Sequence, residues 1–285
     1  MTTWRILDLI KTSTDYLSRQ GVPDPRLDAE YLLGHVLNKQ RLDLYLIFDQ
    51  PLQASELDAY RELIRRRGKR EPLQHLIGET EFMGHRLRVT PDTLIPRPET
   101  EVLVETASAW LAVHEEARVL DIGTGSGCIA ISLALAHPMA QITALDRYPE
   151  ALAVARENAV LNGTDDRISW LKMDILQAVP QEGPFDLICS NPPYIAESEK
   201  ADLQPEVRDH DPAGALFAEE AGLAFYRRFA EIFKTLLDEA GAFILELGGP
   251  IQGRQVLELF KETGYSELEL ITDLNGGIRF LRGRA

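Results

Sequence analysis

The chain has 285 residues, of which 45% are hydrophobic and 26% are charged. This length exceeds one average domain and the composition is ordinary for a folded protein, so we expect two globular domains without a long disordered arm. No stretch reaches the run of about 18 apolar residues that crosses a bilayer, and the N-terminus has no signal-peptide core. A cytoplasmic protein without membrane attachment is therefore expected.

The acidic excess is confined to the C-terminal part of the chain. Residues 1–90 contain 14 lysines and arginines against 13 aspartates and glutamates, and residues 91–285 contain the other 16 against 32. The formal charge is therefore +1 in the first part and −16 in the second. Because an acidic domain repels a phosphate backbone, stable binding of nucleic acid is not expected, and a protein or small-molecule substrate is favoured.

Cysteines and histidines give no sign of a disulfide or a metal site. Only Cys128 and Cys189 occur, far apart in apolar segments, and the six histidines have no close ligand spacing. A bound metal is therefore not expected. Both cysteines are expected to be buried packing residues.

Residues 1–72 form the first predicted domain. Apolar side chains recur at helical spacing from Trp4 to Arg67, and turn signals at 21–25 and 50–51 divide them into segments. This pattern predicts a small helical bundle, with Ser55 as an apt N-cap for its last helix. The basic run at 65–70 is typical of a solvated helix end beside the negative end of the helix dipole, and partner binding is the alternative.

Residues 73–96 are expected to link the bundle to the second domain, with a hairpin near 86–89 where polar and apolar residues alternate. Over 97–285, strand-like apolar runs alternate with helical stretches, which predicts a mostly parallel sheet with crossover helices. The turn signal at 275–277 predicts an antiparallel C-terminal hairpin. The predicted strands cover 119–122, 142–145, 168–173, 185–189, 242–247, 268–271 and 278–281.

A glycine-rich segment closes the first of these strands and opens the first helix of this domain. It reads Asp121, Ile122, Gly123, Thr124, Gly125, Ser126 and Gly127. Glycines permit a tight turn and let a ligand lie against the backbone. A dinucleotide-binding turn places two residues before its third glycine, whereas one stands here, and the acidic Asp121 occupies a position that is normally apolar. The pattern favours a cationic sulfonium ligand.

Two further acids follow the next two strands. Asp146 ends the second strand, where a carboxylate can bind ribose hydroxyls, and Asp174 follows the third, where it can accept from an adenine amino group. Either acid alone could be a turn or helix cap. Three acids at successive strand ends above one glycine turn predict a pocket for S-adenosylmethionine at the carboxyl edge of the sheet.

The sequence Asn191-Pro192-Pro193-Tyr194 follows the fourth predicted strand. Its prolines remove two N–H donors and stiffen the loop, so the carbonyls of Asn191 and Pro192 can face a ligand. A planar amino group attacks a methyl group poorly because its lone pair is delocalised. Hydrogen bonds to the Asn191 side-chain oxygen and the Pro192 carbonyl would hold its nitrogen in line, and Tyr194 would pack on its flat face. A rigid proline turn is the alternative.

With this motif, the chain resembles the class I methyltransferases that modify planar amino groups of DNA, RNA or protein glutamine. The order of helical domain, hairpin, Leu94–Glu101 segment, glycine turn and proline motif is similar to the HemK/PrmC family of release factor glutamine N5-methyltransferases, across essentially the whole chain. The resemblance implies an α/β, Rossmann-like class I sheet with an N-terminal bundle that helps to grip the protein partner.

The resemblance also implies roles for the residues of these motifs. Asp121, Gly123 to Gly127, Asp146, Asp174, Ile175 and Asn191 would bind S-adenosylmethionine, and Asn191, Pro192, Pro193 and Tyr194 would bind the substrate glutamine. The methyl group would pass to N5 of the glutamine in the Gly-Gly-Gln motif of peptide-chain release factors, leaving S-adenosylhomocysteine and modulating translation termination. We expect a monomer.

Three alternatives stay open from the sequence. A nucleic-acid amino-methyltransferase would need a basic groove and usually a target-recognition region, whereas the second domain is acidic and only 91 residues follow Tyr194. A dinucleotide oxidoreductase is disfavoured by the glycine spacing and by the proline motif. A catalytically silent binding protein is disfavoured because both motifs are intact.

Overall fold

The computed structural model describes residues 4–114 and 116–285. The chain divides into two compact units. The first contains residues up to 78 together with Gln204–His210, and the second contains Glu79–Leu203 together with Asp211–Ala285.

The first unit is a helical bundle, as the helical spacing predicted. Its helices are α1 (Ile6–Arg19), α2 (Pro25–Leu37), α3 (Arg41–Leu46), α4 (Ala54–Arg67) and α5 (Leu73–Ile77), with α9 (Pro205–His210) joining them from later in the chain. Leu17, Leu32 and Leu33 are fully buried at its centre, and Tyr60 of α4 donates a hydrogen bond to the Ala29 carbonyl. Short helices of this kind are stabilised by burying their apolar stripes together.

The N-terminus of α4 differs from the prediction. The N-cap is Gln53 and not Ser55, which already lies inside the helix. The backbone N–H of Gln53 donates to the Glu56 carboxylate over 2.8 Å. A carboxylate three residues into the helix can therefore satisfy a free amide and set the helix start in place of a serine hydroxyl.

The basic run at 65–70 is only partly a solvated helix end. Arg65 is exposed and paired with Glu62, as predicted. Arg67 is 5% exposed and donates to Asp28 over 2.6 Å and to Glu206 over 2.9 Å. Arg70 binds both carboxylate oxygens of Glu206 over 2.6 Å. The prediction is therefore wrong for Arg67 and Arg70, because the carboxylates of Asp28 and Glu206 in the same unit pair with them.

The second unit begins with an antiparallel hairpin and continues with a seven-stranded sheet. The hairpin consists of β1 (Glu79–Phe82) and β2 (His85–Arg88). The sheet strands are β3 (Arg118–Ile122), β4 (Gln141–Asp146), β5 (Ile168–Lys172), β6 (Phe185–Ser190), β7 (Leu237–Glu246), β8 (Ser266–Thr272) and β9 (Ile278–Arg284). The helices are α6 (Pro98–Leu111), α7 (Cys128–Ala136), α8 (Pro149–Leu161), α10 (Ala213–Leu216), α11 (Glu219–Gly222), α12 (Ala224–Leu236) and α13 (Pro250–Glu262).

The strand order in the sheet is β5-β4-β3-β6-β7-β9-β8. All neighbours are parallel except β9, which runs antiparallel to β7 and β8. The predicted mostly parallel sheet with an antiparallel C-terminal hairpin is thereby confirmed. The chain order reverses between β3 and β6, and ligands bind at such switch points in open α/β sheets.

Hydrophobic clusters cover both faces of the sheet. Val119 belongs to the cluster that includes α6 and α7, whereas its neighbour Leu120 belongs to the cluster that includes α12 and α13. Successive strand residues point to opposite faces, so a sheet covered on both faces reads as a continuous apolar run. Cys128 and Cys189 are both buried in the first of these clusters, as predicted.

The hairpin packs within the second unit. Phe82 and Leu87 belong to the same core cluster as α6 and α7, and Asn158 of α8 bonds both the N–H and the carbonyl of Arg88. Helix α5, by contrast, belongs to the first unit. The boundaries predicted at 72 and 96 therefore do not coincide with those of the compact units, because the apolar hairpin residues complete a core.

None of the helices in the described part of the chain is long and apolar enough to span a membrane.

Candidate active site

The glycine turn joins β3 to α7. The amides of Gly123 and Thr124 both donate to the Leu145 carbonyl of β4, which fixes the turn at the carboxyl edge of the sheet. Gly123 has a φ of +74°, and a methyl group added there would meet open space. Gly127 has a φ of +83°, and an added Cβ would lie only 3.0 Å from Ile131 and 3.1 Å from Ala155. The turn is thus closed on its helix side and open to a ligand at Gly123.

Asp121 lies behind the turn and does not line the cavity in front of it. Its Oδ2 accepts a hydrogen bond from the Thr124 hydroxyl over 2.7 Å, while its buried Oδ1 has no hydrogen-bond partner among the described residues. Burial raises the pKa of Asp121 to about 7, although the Thr124 hydroxyl and the nearby Ala130 amide oppose the shift. The carboxyl group is therefore poised to respond to a cation near the turn.

Asp146 is held at the end of β4 by two backbone amides. Gly125 donates to its Oδ2 and Tyr148 to its Oδ1, each over 3.0 Å. Burial raises the pKa of Asp146, and these amides lower it in part. Each carboxylate oxygen keeps a free lone pair for a ligand hydroxyl.

Two adjoining cavities open in front of the turn. The larger has a volume of about 260 Å³ and the smaller about 50 Å³, and both are lined by Gly123, Asp146 and Pro193. Thr124, Gly125, Ser126 and Asn191 line the larger cavity, and Asp174, Ile175 and Pro192 line the smaller one. Most of the predicted site residues are thus brought together. Asp121, Gly127 and Tyr194 do not line either cavity.

Asp174 also stabilises the turn that follows β5. Its Oδ1 accepts from the Leu176 amide over 3.0 Å, and its Oδ2 accepts from the Gln177 side chain over 3.2 Å. Arg147 lies 3.6 Å from the same Oδ2. Asp174 therefore serves as a turn cap and as part of the wall of the smaller cavity.

The proline motif starts from a fixed point in the sheet. The hydroxyl of Ser190 donates to the Ile122 carbonyl over 2.7 Å, which joins the end of β6 to the end of β3. Among the described residues, no backbone N–H donates to the carbonyl of Asn191 or Pro192. Both carbonyls are therefore available as acceptors, as the two prolines predicted.

Tyr194 is fixed by contacts behind the cavities. Its carbonyl accepts from the Gln252 side chain over 2.9 Å, and its ring packs on Gly248, where a Cβ would come within 2.9 Å of Cδ2. A Cβ on Gly222 would come within 2.2 Å of the Tyr194 carbonyl. Burial raises the pKa of Tyr194 to about 12, so the phenol is neutral.

Two residues that the sequence did not single out individually fix the Asn191 side chain. Asn191 Nδ2 donates to the Thr100 hydroxyl over 3.2 Å, and this hydroxyl donates to Glu246 Oε2 over 2.7 Å. Thr100 and Glu246 are each 2% exposed. Thr100 lies in the first turn of α6, and no local signal in the sequence connects it to Asn191.

The larger cavity has further walls that sequence reasoning missed. They come from the segment before α6 and the segment around α10, through Pro91, Asp92, Thr93, Leu94, Pro96 and Arg97, and through Pro212, Gly214 and Ala215. Arg97 Nη2 bonds Asp211 Oδ2 over 2.6 Å, which ties the two wall segments together. Gly214 allows close approach of Tyr148, whose hydroxyl would lie 2.0 Å from an added Cβ.

These residues fit a cationic nucleoside such as S-adenosylmethionine. The charged residues that line the larger cavity are three acids, Asp92, Asp146 and Glu150, and one base, Arg97. The preference for a cation is strengthened by the acceptors of Asp146 and by the Asp121 oxygen that has no partner among the described residues. The open backbone at Gly123 leaves room for the ligand. A pyrophosphate would meet acids where it needs cations.

The sequence matches known proteins in both units. Residues 8–78 match the family described as the PrmC N-terminal domain, and residues 98–207 match the methyltransferase small domain. A release factor glutamine methyltransferase of Geobacter sulfurreducens is 42% identical over 281 residues, which cover 99% of this chain and 97% of that protein. That of Chlorobaculum tepidum is 41% identical over 282 residues, with 95% and 94% covered.

The chain belongs to the release factor glutamine methyltransferase family. Because the alignments run through nearly the whole length of these relatives, both units are part of the architecture that the family shares.

Solved structures share the fold of the second unit. The hMettl16 catalytic domain in complex with MAT2A 3′UTR hairpin 6 has a TM-score of 0.58 at 19% identity, with 70% of this chain and 74% of that chain covered. A methyltransferase from Pyrococcus furiosus has a TM-score of 0.51 at 19% identity, with 71% and 90% covered. The sheet is therefore that of the class I methyltransferases.

Proposed function

We propose that this protein transfers the methyl group of S-adenosylmethionine to the side-chain amide nitrogen N5 of the glutamine in the Gly-Gly-Gln motif of peptide-chain release factors, and so modulates translation termination. The observation that carries the chemistry is the position of Asn191 and Pro193 on the same cavity wall as Gly123 and Gly125. The relatives named release factor glutamine methyltransferase support the choice of the amide.

The cofactor would be held by residues of both cavities. S-adenosylmethionine supplies an electrophilic methyl group on a sulfonium centre. The Asp146 carboxylate offers acceptors for ribose hydroxyls, and Asp174 and Ile175 offer an acceptor and an apolar flank for the adenine. The turn leaves the backbone open at Gly123 for the remaining part of the cofactor, and Asp121 adds negative charge behind it.

The substrate amide would be positioned by the proline motif. Its two N–H groups would donate to the Asn191 side-chain oxygen and to the Pro192 carbonyl, which hold the nitrogen in one orientation. Acceptors arranged in advance stabilise the positive charge that grows on the nitrogen during transfer. Pro193 and Tyr194 stiffen the loop, so these acceptors do not need to reorganise.

The first unit would recognise the release factor as the substrate-recognition domain. The family match over residues 8–78 supports this division of labour. The acidic second part of the chain suits a partner with a basic surface, which a ribosome-binding protein needs. We expect the affinity for the release factor to fall as salt concentration rises, and binding that ignores salt would contradict this part of the proposal.

We further propose that the protein works as a cytoplasmic monomer without stably bound nucleic acid. Its proposed substrate acts on the ribosome, which supports the location. The formal charge of −16 over residues 91–285 supports the absence of nucleic acid.

Methyl transfer from labelled S-adenosylmethionine tests the proposed function. The acceptors are a purified release factor, the same factor with its Gly-Gly-Gln glutamine changed to alanine, and duplex DNA. Label on the wild-type factor alone is expected. Label on DNA with none on either factor would transfer the assignment to the nucleic-acid enzymes, and equal label on both factors would refute the glutamine as the target.

A further inference from the structure

We propose that Thr100 and Glu246 are positioning residues that hold the Asn191 amide with its oxygen directed at the substrate nitrogen. This inference rests on the proposed function, because it concerns the acceptor that the substrate amide would meet. Thr100 lies in the first turn of α6, Glu246 ends β7, and Asn191 follows β6, so three elements converge on one chain of hydrogen bonds.

The direction of these hydrogen bonds follows from the number of protons available. A carboxylate can only accept hydrogen bonds, so an ionised Glu246 takes the single hydroxyl proton of Thr100. The Thr100 oxygen is then left as an acceptor, and it pairs with the Nδ2 of Asn191 and not with the Oδ1. The Oδ1 is consequently left to face the cavity.

The orientation matters because the two ends of an amide are nearly equal in shape and opposite in hydrogen bonding. Turned by 180°, Asn191 would present N–H groups to the N–H groups of the substrate. An unmade hydrogen bond of this kind in a dry site reduces a rate by about 10-fold to 100-fold. Among the described residues, Asn191 Oδ1 accepts no hydrogen bond from the protein, so nothing on its other side fixes the amide.

Protonation of Glu246 would remove this control. Burial raises the pKa of Glu246 to about 7. The hydrogen bond from the Thr100 hydroxyl and the guanidinium groups of Arg279 and Arg97 lower this pKa in part. A protonated Glu246 can donate to Thr100, whose own proton can then turn towards Asn191 and favour the reversed amide. Among the residues that the structure describes, the other titratable or charged groups facing Glu246 are Glu99, Cys128, Tyr194 and Tyr226.

The sign of the pH effect follows. Above pH 7 Glu246 is ionised and Asn191 is oriented for transfer, and below pH 7 the orientation is lost progressively. Turnover measured at saturating cofactor should therefore rise with pH through about 7 in the wild-type protein. In Glu246→Gln, this rise should be absent and turnover should be lower than wild type by several-fold, because a neutral amide can donate or accept.

Substitutions at Thr100 give the sharper test. Thr100→Val keeps the shape and removes the hydroxyl, so turnover should fall about 10-fold to 100-fold while the Kd for S-adenosylmethionine is unchanged. Thr100→Ser should restore turnover to within about threefold of wild type. Thr106→Val is the matched control on the same helix, because the Thr106 hydroxyl donates to the Val102 carbonyl of its own helix over 2.7 Å and, within the described part of the chain, to nothing else.

A spectroscopic measurement separates this inference from the proposed function. The side-chain NH2 resonances of Asn191, assigned by their loss in Asn191→Ala, should titrate near pH 7 in the wild-type protein and should not do so in Glu246→Gln or Thr100→Val. A wild-type protein that does not methylate release factors would refute the function, while these resonances would still test the positioning. Resonances unaffected by pH, or wild-type turnover in Thr100→Val, would overturn the inference.

Discussion

Asn191 combines two requirements of the proposed chemistry in one side chain. It offers an acceptor to the substrate nitrogen, and its other end is held by the buried Thr100 hydroxyl. Apart from Asn191, the residues expected to bind the cofactor belong to the glycine turn and to the ends of β4 and β5. Cofactor binding and methyl transfer can therefore be separated by substitution.

Asn191→Ala should leave the affinity for S-adenosylmethionine within about threefold of wild type and reduce turnover by about 100-fold or more. The reason is that alanine removes a positioned acceptor without touching Gly123, Asp146 or Asp174. Calorimetric titration with the cofactor and a single-turnover assay with a release factor measure the two effects. Asn275→Ala, in the exposed turn between β8 and β9, is the control, and wild-type turnover in Asn191→Ala would refute the mechanism.

Residues that act through local sequence could be predicted, and those that act through tertiary contacts could not. The glycine turn and the proline motif each have a recognisable spacing, and parallel strands bring their carboxyl ends to one edge. Thr100 and Glu246 are 146 positions apart, and Thr100 and Asn191 are 91 apart, so nothing in the sequence connects them. Asp121 was expected among the cofactor residues, yet it lies behind the turn because its side chain is fully buried within β3.

At the level of elements, the inner strands β3, β4 and β6 follow from their apolar runs because burial on both faces requires such runs. Short elements were harder to predict. Helix α5 has five residues and β1 has four, too few for a period to be visible. The start of α4 depends on a carboxylate inside the helix, and α11 contains left-handed residues at Glu220 and Ala221 that no propensity favours.

The turn at α11 supports the proline motif, and Gly222 is its critical residue. Gly222 has a φ of +85°, and a Cβ there would lie 2.2 Å from the Tyr194 carbonyl. Gly222→Ala should therefore reduce the free energy of unfolding by about 2–4 kcal/mol, since backbone strain adds to overpacking. Turnover should also fall, because the loop that holds Asn191 must move.

Gly276→Ala is the matched control for this prediction. Gly276 has a similar φ of +81°, and an added Cβ would meet nothing within 4 Å. Only the strain remains, so the cost should be about 1 kcal/mol with normal turnover. Urea denaturation of both variants measures the difference. Equal costs would show that contact with Tyr194 is unimportant.

At the scale of the whole molecule, each of the two units consists of two separate stretches of the chain. The chain leaves the second unit after Leu203 and returns to it at Asp211, and the intervening Gln204–His210 segment belongs to the first unit. Glu206 of this segment is the shared partner of Arg67 and Arg70. The basic run at 65–70 therefore depends on a residue far along the sequence, which explains why its role could not be predicted locally.

Glu206→Ala should destabilise the first unit by about 2–4 kcal/mol, because removing one partner leaves Arg67 buried with only Asp28 to balance it. Glu62→Ala, which breaks the exposed pair with Arg65, is the control and should leave unfolding unchanged. Amide hydrogen exchange in α4 measures local stability in both variants. Faster exchange is expected in Glu206→Ala alone. Equal exchange in the two variants would contradict a stabilising role of the ion pairs between Glu206 and its two arginines.

The placement of Gln204–His210 limits how this protein can be dissected or transplanted. A single cut after residue 78 would not release the first unit intact, because its segment Gln204–His210 would remain in the other fragment. The same cut would leave that piece without its partners in the second fragment. Grafting the helical unit onto another enzyme would therefore require both of its stretches of chain. An exchange of this unit between relatives would have to transfer Glu206 together with Arg67 and Arg70.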